Sequence, residues 1–339
     1  MTVRRPEGSS EPQGGAPVRR YDGLAAVPGD LGPTVATVGM FDGVHRGHRA
    51  LLDRVAAAAA ARGVPAAAVT FDRHPLAVLR PGSEPPLLTT LDRKVELLSE
   101  AGVGIVLVLE FSGELSEVTA EAFAAEVLFD RLAARAVVVG ENFRFGHKAA
   151  GDPALLAELG RPRGVEVVAV GLHADGDQVV SSTRVRGELA AGDVAAAAAS
   201  LGRPYAVEGD RRGRPLLGVP TANLAVPAGI ALPGDGVYAG HLTEGRPQAS
   251  GEPQGGAPVR RGPARPAAVS VGTNPQFGTD RRVEAHVLDF DGDLYGHRVS
   301  VDFHDHLRDQ AVFPGVDELA AQIRADIDEV RRLLGPGAG

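Results

Sequence analysis

The chain reads as an α/β domain built on a parallel sheet, followed by a small antiparallel β domain and a C-terminal helix. Three observations predict this. From about Tyr21 to Gly192, apolar β-type runs alternate with helical stretches, the signature of βαβ units. After Arg203-Pro204-Tyr205 the texture changes to short β-type runs broken by Gly, Pro and Asp, which suits a small barrel or sandwich. Finally, Leu319, Ile323, Ile327, Val330 and Leu334 recur at helical spacing over Val316 to Leu334, the apolar stripe of a packed helix.

Taken in order, residues 1–20 are rich in Pro, Gly and Ser and are expected to be a disordered extension. Strands are expected at 35–38, 66–71, 103–109, 136–139 and 165–170, with helices at 46–61, 91–101, 119–134 and 153–159 between them. Helical sequence continues through Gly187 to Ala191, and Asp193 is placed to cap a further helix over Val194 to Leu201. Short strands follow at 236–242, 267–271, 283–290 and 298–303. The domains are therefore drawn at 21–192 and 206–335, with a linker helix at 193–205. The ten residues Glu11 to Arg20 recur as Glu252 to Arg261. A single duplicated tract is no repeat fold, and its composition predicts a flexible insertion at about 245–264.

Composition narrows the function classes. With 35 Lys and Arg against 43 Asp and Glu, the net charge is −8, against the basic excess of a nucleic-acid binder. The absence of cysteine excludes disulfides, thiolate zinc sites and a Cys nucleophile. No run is long and apolar enough for a membrane span, and residues 1–20 lack the apolar core of a secretory signal. A cytoplasmic protein with small-molecule partners follows, bound to neither nucleic acid nor membrane; homo-oligomerisation stays open.

The stretch with the most chemistry is Gly39-Met40-Phe41-Asp42-Gly43-Val44-His45-Arg46-Gly47-His48. It follows an apolar strand and opens a helix, so backbone N–H groups and the positive end of the helix dipole face the turn, as an anion site requires. Imidazoles there can bond phosphate oxygens, and Gly47 permits close backbone approach. The same residues also suit an ordinary strand-to-helix loop with solvated histidines. Asp42 serves either as support for the turn or as a ligand contact. Asn142 is either an Asx-turn residue or a contact to phosphate or ribose. Ser181-Ser182-Thr183 caps a helix, which is compatible with phosphate binding. His74, before Pro75, is structural or ligand-facing.

Taken together, the ordered blocks resemble the bacterial bifunctional riboflavin kinase/FAD synthetase family. In the first half the resemblance rests on 39–48, on Val139-Gly140-Glu141-Asn142-Phe143-Arg144-Phe145-Gly146 and on Ser181-Ser182-Thr183-Arg184-Val185-Arg186. The second half contributes Gly218-Val219-Pro220-Thr221-Ala222-Asn223, Ser270-Val271-Gly272-Thr273-Asn274-Pro275, Val283 to Phe290, and Asp293-Leu294-Tyr295-Gly296. The resemblance implies an α/β nucleotidyltransferase domain with a Rossmann-like sheet, then an antiparallel β-barrel that is a riboflavin kinase. The barrel would convert riboflavin and ATP to FMN; the first domain would join FMN to AMP from a second ATP, releasing pyrophosphate, and both steps would use Mg²⁺.

The resemblance also assigns residues. His45, His48 and Arg186 would act in adenylyl transfer, with Gly39, Phe41, Asp42, Gly47, Asn142, Ser182, Thr183 and Arg184 around the ATP phosphates. Glu284 would be the general base of the kinase, Thr221 and Asn223 would hold ATP phosphates and Mg²⁺, and Asn274 and Arg308 would face the flavin. Phe303 is core. Three departures stand out. Arg73 replaces a Pro. The duplicated tract lengthens a loop. In the family a full apolar strand and a further Gly stand between the residue matching Gly209 and the Arg-Gly-Arg segment; within 205–214 that strand reads as missing or cut short. That last point carries the alternative reading, an FAD synthetase whose second domain binds flavin without phosphorylating it.

Overall fold

The computed structural model describes residues 18–171, 174–175, 178–212, 221–245, 262–273, 281–290 and 298–335. The first layer contains β1 (Arg19–Asp22), β2 (Thr34–Val38), α1 (Arg46–Arg62), β3 (Ala66–Phe71), α2 (Leu76–Leu79), α3 (Leu91–Glu100) and β4 (Ile105–Leu109). It continues through α4 (Gly113–Glu117), α5 (Ala120–Phe123), β5 (Ala134–Gly140), α6 (Pro153–Gly160) and β6 (Glu166–Val170). These strands form a parallel sheet in the order β1-β4-β3-β2-β5-β6. Every residue of β2 and β4 is buried, because helices cover both faces of the sheet.

The strand order reverses at β2: β3 and β4 lie to one side, β5 and β6 to the other. In doubly wound sheets the crevice at such a switch point is where ligands bind. The loops that leave β2 and β5 there are 39–45 and 141–146, the two motif-bearing segments.

Two first-layer expectations change. Arg19 and Arg20, assigned to the disordered extension, open β1 and pair with Ile105 and Val106; Arg20 also reaches Asp92 at 2.8 Å. The helix expected at 119–134 is α5 followed by a π-helical run, Ala124–Arg131.

A two-residue pair, β7 (Ala174–Asp175) and β8 (Gln178–Val179), precedes α7 (Ser182–Ala190) and α8 (Val194–Leu201). Asp193 caps α8 as expected, accepting from the Ala196 N–H at 2.9 Å. α8 is more than a linker: Val194, Ala197 and Leu201 join Leu88, Val185 and Leu189 in one hydrophobic core with Tyr205, Tyr238 and Phe303 of the second layer.

That second layer is a closed barrel of β9 (Tyr205–Arg212), β10 (Thr221–Ala225), β11 (Gly236–Glu244), β12 (Ala264–Thr273), β13 (Arg281–Val287) and β14 (Arg298–Arg308), ordered β10-β13-β12-β11-β14-β9 and antiparallel throughout. The expected missing or shortened strand is therefore corrected. β9 pairs with β14 on one side and β10 on the other and closes the sheet. Its inward residues Tyr205 and Val207 are buried, while Glu208 and Asp210 alternate with them, so the strand is present with one polar face. Residues 213–220, with part of the Gly218 to Asn223 block, lie outside the described residues. So do Asn274 and residues 246–261 of the insertion expected at about 245–264; its described ends are structured, the N–H groups of Gly245 and Gly262 donating to the carbonyls of Arg298 and Glu244 and Ala264 opening β12. α9 (Val316–Leu334) rests on the barrel through Val330, packed with Ala239 and Leu288.

Candidate active sites

At the end of β2 the loop 39–45 is held in an unusual path. Phe41 and Val44 take positive φ values of 49° and 39°, a region that costs a side-chain-bearing residue roughly 1–3 kcal/mol and persists where surroundings enforce it. The surroundings here are specific. Asp42, 2% exposed, accepts from the N–H of Leu88 at 2.9 Å and of Thr89 at 3.3 Å and from Arg186 Nη2 at 2.5 Å. Arg203, on the connection to the barrel, donates to the carbonyls of Gly43 at 2.6 Å and Val44 at 3.2 Å. Arg186 Nε also donates to the Pro86 carbonyl at 2.6 Å. Asp42 is thus a fastener.

Two helices begin side by side at this loop. α1 starts behind His45, whose Nδ1 accepts from the His48 N–H at 3.3 Å; α7 starts behind Ser181, whose Oγ accepts from the Arg184 N–H at 3.2 Å. Ser182 Oγ ties the starts together by donating to the Asp42 carbonyl at 2.9 Å. Gly47 sits in the first turn of α1, where a Cβ would stand 3.1 Å from the Val180 carbonyl. Paired helix N-termini concentrate backbone N–H groups and positive dipole ends, a phosphate-binding arrangement.

The rings of His45 and His48 stack at 3.7 Å between centroids, and the Phe41 ring meets His48 edge-on at 5.3 Å. Burial first, then the charges of His45 and Lys94, hold His48 well below the ordinary 6.5. Near pH 7 it is a neutral imidazole, a hydrogen-bonding group without charge. Its Nδ1 is buried without a protein partner, as is Arg184 Nη1; both are open to a bond from a ligand, an ion or water. Arg184 Nε pairs with Glu188 Oε1 at 2.7 Å, Thr183 is exposed in the first turn of α7, and Gly39 closes β2 by donating to the Val69 carbonyl at 3.0 Å.

Other candidates sit further out. Asn142 is exposed on the turn after β5. His74 Nδ1 accepts from the Leu76 N–H at 3.1 Å, fixing the start of α2, and burial followed by Arg186 lowers its pKa. Arg73 is exposed and pairs with Asp72 at 2.7 Å.

One residue escaped the motif reading. Lys94, 2% exposed, donates to the Phe71 carbonyl at 2.9 Å and lies 3.4 Å from Thr70 Oγ1. Burial pulls its pKa down to about 8. A lysine inside an amphipathic helix carries no sequence signal; only the packing of α3 on the ends of β3 reveals it.

The barrel holds the second cluster. On its outer face, cross-strand register places Asn223 opposite Glu284, and Glu284 opposite Ser270. All three are half-buried, between inward-facing Leu224, Val283, Ala285 and Val271. Burial pushes the Glu284 carboxyl above its ordinary 4.5. Gln310, just past β14, donates to Ser270 Oγ and the Val271 carbonyl at 3.0 Å each. Thr221 opens the neighbouring strand opposite His286. Arg308, expected at the flavin, forms a bidentate pair with Asp326 of α9 at 3.0 and 2.8 Å; it fastens the C-terminal helix. Phe303 is fully buried, as expected.

The two layers are joined by backbone pairing as well as by core. The Leu87 N–H donates to the Gly229 carbonyl at 2.7 Å and its carbonyl accepts from the Ala231 N–H at 2.8 Å, one residue from the Leu88 that Asp42 holds.

Known proteins match both halves. A family model described as FAD synthetase matches residues 28–184, and one described as riboflavin kinase matches residues 201–334. A bifunctional riboflavin kinase/FMN adenylyltransferase of Escherichia coli (strain K12) is 34% identical over 307 residues, covering 89% of this chain and 93% of that protein. The Pseudomonas fluorescens protein of the same name is 35% identical over 311 residues, covering 90% and 94%. A crystal structure described as a macrolide-efflux protein from Streptococcus pneumoniae is similar with a TM-score of 0.79 and 28% identity, over 93% of this chain and 99% of that one. Among the described residues, no helix is long and apolar enough to cross a membrane.

Proposed function

The chain belongs to the bifunctional riboflavin kinase/FMN adenylyltransferase family, and from that premise we propose how its residues divide the two reactions. It is a transferase that phosphorylates riboflavin with ATP to give FMN and adenylylates FMN with ATP to give FAD and pyrophosphate. The observation that carries the division is the separation of the two clusters, one at the switch point of the parallel sheet and one on the barrel's outer face.

In adenylyl transfer an FMN phosphate oxygen attacks the α-phosphorus of ATP and pyrophosphate leaves. Charge grows on phosphate oxygens, so preorganised donors do the catalysis. We assign that role to the N-termini of α1 and α7, to neutral His48 with His45, and to Arg184 and the N–H groups of Arg186 not spent on Asp42 and Pro86. Ser182 and Asp42 position the loop.

In phosphoryl transfer we assign Glu284 as the base that takes the riboflavin 5′-hydroxyl proton while that oxygen attacks the γ-phosphorus and ADP leaves. The neighbouring side chains offer oxygens, Asn223 and Ser270 beside Glu284, and a hard-donor set of this kind fits Mg²⁺. Asn223 together with Thr221 would hold it, and when bound it would neutralise charge on the transferring phosphate. Its substrates ATP and riboflavin agree with a cytoplasmic location. The alternative of a flavin-binding second domain without kinase activity loses its premise, because β9 is present and the barrel is closed.

The test feeds the purified protein riboflavin, ATP and Mg²⁺ in one reaction and FMN, ATP and Mg²⁺ in another, and resolves the flavins by chromatography. FMN then FAD is expected in the first and FAD in the second. FAD from FMN without any FMN from riboflavin would restore the single-activity reading.

A further inference from the structure

On the barrel face away from Glu284, β11 and β14 bring together three side chains that neither reaction uses. His241 and Asp302 are direct cross-strand partners, and His304 lies two residues further along β14. The register of this pair is irregular between Ala239 and Gly240, opposite Phe303 to Asp305, so His304 is the extra residue of a bulge, a device that re-aims a side chain. β14 also presses unusually close: a Cβ on Gly240 would stand 2.0 Å from the Asp302 carbonyl oxygen, so a side chain there would force the strands apart.

His241 Nδ1 and His304 Nε2 are 3.0 Å apart. Asp302 Oδ1 is 3.1 Å from His304 Nε2 and 3.5 Å from His241 Nδ1. We propose that His241 Nδ1, His304 Nε2 and Asp302 Oδ1 form a binding site for a divalent transition metal of the zinc class. A cation roughly 2.1 Å from each atom would sit just off their plane, with ligand–metal–ligand angles of roughly 90–115°, three corners of a tetrahedron. Water would take the open position.

Two further features make this a built site. The His241 backbone N–H donates to Asp302 Oδ1 at 2.7 Å, the outer-shell bond that orients a ligating carboxylate. The three side chains are between 22% and 29% exposed, and Asp302 lines a cavity of about 180 Å³ between the barrel and the sheet, with Thr89, Arg203 and Tyr205 on its other walls. A cation can therefore reach the ligands from solvent. Two imidazoles select Zn²⁺, Co²⁺ or Ni²⁺ over Mg²⁺, so this site is chemically distinct from the oxygen-rich cluster around Glu284.

The experiment uses untagged full-length protein, stripped with EDTA and titrated with Zn²⁺ by calorimetry in excess Mg²⁺. One Zn²⁺ per chain is expected, with affinity falling at least ~10-fold in His241→Ala, His304→Ala and Asp302→Asn. Cobalt replaces zinc in a second measurement, where the wild type should develop a visible ligand-field band that His304→Ala lacks. Melting curves recorded without metal identify any variant that fails to fold; Asp302→Asn and the wild-type cobalt spectrum decide the matter in that event. The absence of stoichiometric Zn²⁺ in the wild type overturns the proposal. So does binding that survives all three substitutions, which would move the metal to another histidine pair such as His45 and His48.

Discussion

Asp42 and Glu284 are both carboxylates at the heart of a motif, and the molecule employs them in opposite ways. Asp42 is buried, saturated by the N–H groups of Leu88 and Thr89, and paired with Arg186. Glu284 stands half-buried on a barrel face, beside Asn223 and Ser270, with burial raising its pKa. A carboxylate whose lone pairs are all taken holds structure; one whose charge is disfavoured and whose neighbours are ligand-type oxygens is equipped to accept a proton. The lesson is that a motif position tells which residue matters, and its hydrogen bonds tell how.

The largest effect should come from breaking the barrel's side of this comparison. Glu284→Gln is expected to slow FMN formation by about 10²–10⁴-fold, the usual worth of a general base, while FMN-to-FAD conversion stays within about twofold. In the wild type, kcat/KM for riboflavin should fall with decreasing pH through a pKa above 4.5, because the protonated carboxyl accepts no proton. Equal loss of both steps would contradict separate sites.

Breaking the other side should register first as stability. Asp42→Ala strips the half-buried Arg186 of its carboxylate and leaves the buried N–H groups of Leu88 and Thr89 without an acceptor, which is expected to cost about 3–5 kcal/mol and to lower the melting temperature. Because Leu87 pairs with barrel residues 229 and 231, both activities should decline together. A variant that melts like the wild type would show that Asp42 is not the fastener described.

His48→Ala is the sharper probe of the sheet site. It is expected to reduce FAD formation by about 10²-fold, the lower range for one preorganised donor, with riboflavin phosphorylation unchanged. Because His48 is held neutral, the rate of the wild type should show no dependence on its protonation near pH 7. An acid-activated profile lost in the variant would mean that the ring works as a cation.

Much of this was legible in the sequence, for identifiable reasons. The alternation of β2, α1, β3 and β4 follows directly from apolar runs and Ala- and Leu-rich stretches, since buried parallel strands are nearly continuous hydrophobic sequence. Ser181 and Asp193 announce their helices because capping is local chemistry. β9 was not legible: a barrel strand with a solvated face shows only half its residues to the core, and Glu208 there is taken up by Arg298 at 2.9 Å. The pairing of Arg308 with Asp326 was not legible either, because Asp326 lies on a helix that no spacing rule connects to β14. The cluster at 241, 302 and 304 depends on register and a bulge, which only pairing defines.

Lys94 offers the smallest and most discriminating effect. Its ammonium is charged below its pKa of about 8 and neutral above it, and it already lowers the pKa of His48, so its field reaches the phosphate side. For adenylyl transfer, kcat/KM for ATP should fall a few-fold as pH rises past about 8, on the order of 1 kcal/mol for a charge screened by protein and water. Lys94→Arg, which stays charged, should flatten that limb. Stability must move the other way. The folded-state pKa lies below the ordinary 10.5, so between about pH 8 and 10.5 the unfolded chain holds a proton that the folded chain has released. The wild type should therefore gain stability relative to Lys94→Met across that window, by at most ~3 kcal/mol. Activity falling while relative stability rises is the signature of a buried cation kept for its field; if both fall together, Lys94 is only a packing residue whose loss of charge loosens the ends of β3.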